Sequence, residues 1–321
     1  LTMKRTVVCL GELLIDFVPE TNGQALADVP AFKRAAGGAP ANVAAAVAKL
    51  GGASRFIGKV GRDAFGEHLR QTLEEAGVEA ALVETDEART GIAFVSLRED
   101  GERDFLFYRS PAADMLLRSE EIGDDWLNDA AVYHFGSVSL VAEPCRSATL
   151  DAARRARGLG AIVSYDPNVR LPLWPSADAA RKEIMAHMPL ADLVKVSEEE
   201  VEFLLGKGSL EGARELLAMG PSAIVVTLGP NGCRVITATS DIHVAGTPVA
   251  AVDTTGAGDG FVGGMLYQLA SRGISAETLG DTLRDPVNCG EIFGFANRVG
   301  AITTTRRGAI PSLPTLAEVN G

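Results

Sequence analysis

Short apolar runs alternate with helical segments through the second half of the chain, and that alternation limits the fold more than any other feature. AAVYHFG (130–136) reads as a strand, residues 143–157 as a helix and AIVSYDP (161–167) as a strand. A helix at 176–187, the strand LVKVS (193–197), a helix at 198–205 and the strand AIVVTLG (223–229) follow. VITATSDIHVAG (235–246) reads as a hairpin-like pair, and helices at 260–271 and 287–302 complete the series. Strands that alternate with helices imply a parallel, doubly wound sheet. Ligands of such sheets bind beyond the carboxyl ends of the strands, so functional residues belong on the loops that leave them.

The first half begins in the same way. Thr6–Leu10 reads as a buried strand, Pro40 opens a helix that Gly51-Gly52 ends, and residues 54–60 form a strand. Residues 63–76 then carry Phe65, Leu69 and Leu73 on one helical face. The pattern changes at 91–97 and 103–108, which flank Glu99-Asp100-Gly101, a hairpin signal. With residues 14–36 these predict a small antiparallel patch, spanning about 14–36 and 91–115, inserted in one α/β domain over 1–321.

Composition closes off several function classes. Thirty basic against forty-two acidic residues leave a net charge of −12, which argues against binding along a nucleic-acid backbone but not against a local anion pocket. No stretch approaches the roughly 18 apolar residues of a membrane span. Cys9, Cys145, Cys233 and Cys289 lie far apart with no metal-ligand spacing, so they read as buried thiols of a reduced, cytoplasmic protein.

Glycine is abundant, 35 of 321 residues, against a usual level of about 7%. The densest cluster is DTTGAGDGFVGG (253–264), which follows a strand-like segment and opens an apolar helix. Two chemistries fit it. Gly258-x-Gly260-x-x-Gly263 matches the dinucleotide fingerprint of an NAD(P)-dependent oxidoreductase, although no clear strand follows it. Alternatively, the backbone of Gly256, Ala257 and Gly258 forms an anion hole at a helix N-terminus, with Asp259 as the base for an attacking hydroxyl. Asp259 also reads as a plain helix cap. A second cluster, AGGAPANVA (36–44), places two glycines before a helix and Asn42 in its first turns. It fits either a tight turn or a ligand approach, and Asp16 either a turn or a contact. No GxxxxGK[ST] occurs, so this is not a P-loop enzyme.

GGAPANVA near one end and DTTGAGD near the other, at this separation, resemble the two signatures of the ribokinase-like (PfkB) carbohydrate kinases, over Val8 to Pro314. FYRSPAADMLL (107–117), EPCRSATLDAA (143–153), SYDPNVRLPLWPS (164–176) and VKVSEEEVEFL (194–204) are most similar to the plant-type fructokinases within that family. The resemblance implies a ribokinase-like αβα sandwich with a mostly parallel doubly wound sheet and a small antiparallel β lid. The implied activity is ATP-dependent phosphorylation of D-fructose at its 6-hydroxyl. Ketodeoxygluconate, aminoimidazole riboside and nucleoside kinases are the alternatives, because acceptor choice lies in the lid.

Carried over by position, Asp16, Gly37, Gly38 and Asn42 correspond to sugar-binding residues, with Phe107 and Arg109 reaching the sugar from the lid. Asp259 matches the catalytic base, Gly256, Ala257 and Gly258 the anion hole, and Arg170 the arginine facing the transferring phosphoryl group. Ser197 takes the place of the family's Asn in N-x-x-E, and its shorter side chain reaches less far toward the nucleotide. Glu200 corresponds to the Glu that holds hydrated Mg²⁺. Thr227, Gly229 and Gly232 match a nucleotide-binding turn, and Asn297 lies in the adenine region. Asp253 and Thr255, with backbone groups around Thr303, Arg306, Gly308 and Ser312, match a monovalent-cation site suited to K⁺. A homodimer through the lid is the expected assembly. Residues 284–291 read as an insertion in the usual helix run.

Overall fold

Along β1 (Thr6–Leu10) every residue is buried, and successive side chains enter opposite cores: Val7 and Cys9 on one side, Val8 and Leu10 on the other. That two-sided burial is what a parallel strand covered by helices on both faces requires. The computed structural model describes residues 6–21, 23–97 and 103–321. After β1 come β2 (Leu14–Pro19), β3 (Phe32–Gly37), α1 (Ala39–Lys49), β4 (Ser54–Gly61), α2 (Ala64–Glu75), β5 (Glu79–Thr85), β6 (Ile92–Leu97) and β7 (Arg103–Tyr108). The second half runs β8 (Ala130–Gly136), α3 (Cys145–Gly158), β9 (Ile162–Asp166), α4 (Ala177–Ala186), β10 (Leu193–Ser197), α5 (Glu198–Leu205) and α6 (Ser209–Leu217). It continues with β11 (Ala223–Thr227), β12 (Cys233–Ile236), β13 (Asp241–Val244), α7 (Ala257–Ser271), α8 (Ala276–Arg284) and α9 (Pro286–Thr303).

Nine strands form the main sheet in the order β13-β12-β11-β10-β9-β8-β1-β4-β5. From β5 to β11 all neighbours are parallel, and β12 and β13 add an antiparallel edge. Helices α1, α2, α7, α8 and α9 cover one face and α3 to α6 the other, each over its own apolar core. Chain order turns outward in both directions from the β1/β8 pair, so this is the switch point where a crevice opens at the strand ends. β5 went unannounced by pattern because it pairs only with β4, as an edge strand half open to solvent.

A second sheet has the order β3-β2-β6-β7. Both outer pairs are antiparallel hairpins, but the central β2–β6 pair is parallel. The reason is connectivity: β2 follows β1 and β6 follows β5, so both leave the main sheet in the same direction. The turn at Glu99-Asp100-Gly101 lies outside the described residues. Residues 284–291 span the end of α8 and the first turns of α9: the Asp285 carboxylate accepts the N–H groups of Val287 and Asn288, and Pro286 opens α9. Among the described residues no helix is long and apolar enough to cross a membrane.

Candidate active site

Residues 217 positions apart meet at the centre of the crevice: Asn42 Nδ2 donates to Asp259 Oδ2 at 2.8 Å. Asn42 is in the first turns of α1 and Asp259 in the first turn of α7. Two helix N-termini therefore converge on one point, each presenting its positive dipole end. Glycine makes the convergence possible. A Cβ on Gly263 would lie 2.3 Å from the Ala46 Cβ of α1, and one on Gly264 would lie 3.1 Å from the Ala296 Cα of α9. A Cβ on Gly260 would lie 2.7 Å from Thr303 Oγ1. These glycines let α7 pack between α1 and α9. Their spacing has a helix-packing cause, and α7 leads into α8 rather than into a strand, so the oxidoreductase reading lacks the βαβ unit it needs.

The glycines that face the crevice are the earlier ones. Gly256 caps α7 with φ 76°, a left-handed conformation that favours glycine. Gly258 is exposed, and a Cβ there would lie 3.7 Å from Lys195 Nζ. The Ala257 N–H is turned back onto the Thr254 carbonyl at 3.2 Å, so it contributes less to an anion hole than its neighbours. Burial pushes the Asp259 carboxyl up to about 6, against the hydrogen bond from Asn42 and the charges of Arg170 and Lys195. Asp259 is not the helix cap, a position that Gly256 holds with no side-chain capping bond: it is a recessed carboxylate with a charged surround.

On the sugar side, Asp16 of β2 pairs in register with Ala93 of β6, and Ala93 with Phe107 of β7, which puts Asp16 and Phe107 on one face of the small sheet. A Cβ on Gly37 would fall 2.2 Å from Asp16 Oδ2, and one on Gly38, at φ 118°, 2.2 Å from the Glu12 carbonyl. Only glycine fits at Gly38, whereas a side chain at Gly37 would displace the Asp16 carboxylate. Burial pushes Asp16 up to about 6, countered by Arg170. The charge of Arg170 thus acts on both Asp16 and Asp259. Its own Nη1 donates to the Val169 carbonyl at 3.1 Å. Arg109 is buried after β7 with Nε donating to Asp114 at 3.2 Å. Its guanidinium is already engaged, so a direct reach to the sugar is not its arrangement here.

Lys195 and Asp166 went unassigned by sequence reasoning. Lys195 Nζ lies 3.2 Å from Asp166 Oδ2, and both are buried. Burial opposes the lysine's charge, but Asp166, Glu200 and Asp259 more than offset this and hold it above its ordinary value. A lysine inside the apolar strand LVKVS was the available signal, since lysine is rarely buried unless paired. Beside it a cleft of about 370 Å³ is lined by Arg170, Lys195, Ser197 and Glu200. Ser197 caps α5, accepting the Glu200 N–H at 3.2 Å. Glu200 accepts the N–H groups of Val169 at 2.8 Å and Ser197 at 2.9 Å, which ties the Arg170 loop to α5.

Further along the strand ends, Thr227 closes β11 and Gly229 has φ 57° with open space where a Cβ would be. Gly232 instead serves packing, because a Cβ there would lie 2.1 Å from the Val244 carbonyl. Asn297 Nδ2 donates to the carbonyls of Val244 and Ala245, anchoring the chain beyond β13. Asp253 accepts from Thr255 N–H and Oγ1 and from Gly308 N–H, and Ser312 Oγ donates to the Gly308 carbonyl. Thr303 Oγ1 donates within α9 to Val299, and the Arg306 guanidinium pairs with Glu318, so these two side chains turn away from the knot.

A switch-point crevice with a glycine turn and carboxylates on one side and a helix N-terminus with cations beside it on the other suits phosphoryl transfer to a small hydroxylated substrate. The chain belongs to the pfkB family of carbohydrate kinases, whose sequence profile matches residues 4–316. It is 50% identical to fructokinase-1 of Zea mays, covering 98% of this chain and 97% of that one. A crystal structure of fructokinase with bound ATP from Xylella fastidiosa superposes with a TM-score of 0.92 at 40% identity, covering 99% and 97% of the two chains. Fructokinase from Vibrio cholerae O395, in its fructose, ADP and calcium ion bound form, has a TM-score of 0.87 at 35% identity, covering 99% and 98%.

Proposed function

We propose that this chain transfers the γ-phosphoryl group of ATP to the 6-hydroxyl of D-fructose. The Asn42–Asp259 hydrogen bond carries the reading, because it puts the sugar turn and the anion hole within one side chain's reach of each other. The likeness to fructokinases from plants and bacteria supports the choice of sugar. Asp16, Gly37, Gly38 and Asn42 bind the sugar hydroxyls, with Phe107 against them. Asp259 takes the proton of the attacking hydroxyl as the O–P bond forms, and ADP leaves with the electrons of the broken bond. Gly256 and Gly258 offer backbone N–H groups to the transferring oxygens, while Arg170 and Lys195 face the charge that develops there. Arg109 acts from the root of the lid.

Thr227, Gly229 and Gly232 shape the nucleotide side, Ser197 lines the cleft by the phosphates, and Asn297 steadies the wall beside the base. Among the described residues no cluster of three metal-ligating groups occurs, and Glu200 already accepts two backbone N–H groups. This fits Mg²⁺ that arrives on the phosphates and meets Glu200 through water, supplying charge neutralisation. The carboxylate, hydroxyl and loop carbonyls around Asp253, Thr255, Gly308 and Ser312 suit a hard cation such as K⁺. The small sheet is the lid that excludes water. Leu106 and Tyr108, 46% and 58% exposed on its outer face, are the contact of a homodimer. Four buried free thiols fit the reducing cytoplasm.

ADP release measured over a panel of fructose, ketodeoxygluconate, aminoimidazole riboside and nucleosides, with and without Mg²⁺ and K⁺, tests the reading. Fructose is expected to give the highest kcat/KM. A higher value for ketodeoxygluconate or a riboside would replace the acceptor and leave the kinase standing.

A further inference from the structure

Glu12 lies where β1 leaves the sheet, at the switch point, and is buried. Its Oε1 accepts the N–H of Ala39, the first residue of α1, at 2.9 Å. Its backbone carbonyl is the atom against which Gly38 packs. Arg109 and Asp114, both buried, are the charged groups that act on it. The Arg109 guanidinium is bonded to Asp114, and its charge also acts on the Glu12 carboxylate. Glu12 Oε2 and Asp114 Oδ1 are buried with no hydrogen-bond partner among the described residues. Unpaired polar atoms in a dry site are costly, so this cluster stores a preference for any arrangement that satisfies them. Burial pushes the Glu12 carboxyl up to about 7, in keeping with incomplete compensation.

The small sheet is rooted at this cluster. β2 begins two residues after Glu12, and β7 ends at the residue before Arg109. β6 follows Gly91, where a Cβ would lie 3.2 Å from Asp114 Oδ1 and 3.4 Å from Arg109 Cγ. We propose that Glu12 is a positioning residue for sugar binding: with Arg109 and Asp114 it couples the root of the small sheet to the turn that presents Gly38 and Asn42. This rests on the sugar-kinase reading. The carboxylate holds one end of the turn through Ala39, while its second oxygen is buried without a hydrogen-bond partner and the charge of Arg109, just beyond β7, acts on it.

Glu12→Gln keeps an acceptor for Ala39 but removes the negative charge that acts on Arg109. The expected result is a fructose KM raised about tenfold, with the ATP KM within about twofold and the melting temperature nearly unchanged. A merely structural role would instead lower the active fraction, reducing kcat and leaving both KM values alone. Asp114→Asn is expected to raise the fructose KM in the same way. The double variant is expected to be no worse than the poorer single one, because both break one coupled unit. An unchanged fructose KM, or losses that multiply, overturns the coupling. If Glu12→Gln does not fold, Asp114→Asn decides alone by the same criterion. A wild-type chain that phosphorylates no sugar overturns the functional reading itself, an outcome distinct from active enzyme with indifferent variants.

Discussion

Asp259 shows how a single residue's environment sets a measurable profile. Its carboxyl is raised to about 6 by burial, and a base must be ionised, so kcat/KM is expected to fall about tenfold per pH unit below about pH 6. Asp16, raised to about 6 as well, steepens that limb. A rate that stays flat down to pH 5 would refute the assignment. Because the Asn42 hydrogen bond lowers the Asp259 pKa, Asn42→Ala is expected to move the limb to higher pH as well as to weaken sugar binding. Asp259→Asn is expected to lower kcat by roughly 10²–10⁴-fold while leaving fructose binding measurable by calorimetry. The stability effect has the opposite sign to the activity. Both folded pKa values stand above the unfolded ones, so what these carboxyls contribute is fully present below about pH 4 and lost as pH rises through about 6.

At the scale of elements, α7 joins the two halves of the site through its contacts with α1 and α9. Gly263→Ala puts a methyl 2.3 Å from the Ala46 Cβ, with α1 and α7 unable to separate without moving Asn42 from Asp259. The expected cost is about 1–3 kcal/mol in chemical denaturation, with activity falling alongside. Gly290→Ala in α9 is the contrast. It is helical with nothing within 4 Å of a Cβ, so the substitution is expected to stabilise by about 0.5–1 kcal/mol. Equal effects at the two positions would mean that helix propensity alone governs both. The glycine pattern was visible in the sequence, but its division into site-facing and packing glycines was not. Gly258 and Gly260 are two residues apart, and only the directions of their absent Cβ atoms separate the roles.

For the whole molecule, the proposed dimer gives the direct test. Leu106→Glu with Tyr108→Glu is expected to halve the mass found by sedimentation, and a wild-type monomer at micromolar concentration would end that proposal. The row Phe17, Phe94 and Tyr108 packs ring on ring across the small sheet, so the outer face is partly covered by its own aromatics and partly open. The pairing of β2 with β6 shows the limit of reading strands locally. Each hairpin is encoded in adjacent residues, but the parallel seam joins strands that follow β1 and β5, far apart in the chain. Local pattern determined the order of strands and helices apart from β5 and α6, the burial of β1 and the positions of the two glycine signatures, because periodicity and turn chemistry act between near neighbours. Only the tertiary structure decided that Lys195 pairs with Asp166, that Arg109 pairs with Asp114, and that the Glu12 carboxylate accepts the Ala39 N–H at the start of α1. Those are electrostatic contacts between residues brought together by the sheet, and charges interact across space without regard to their separation in sequence.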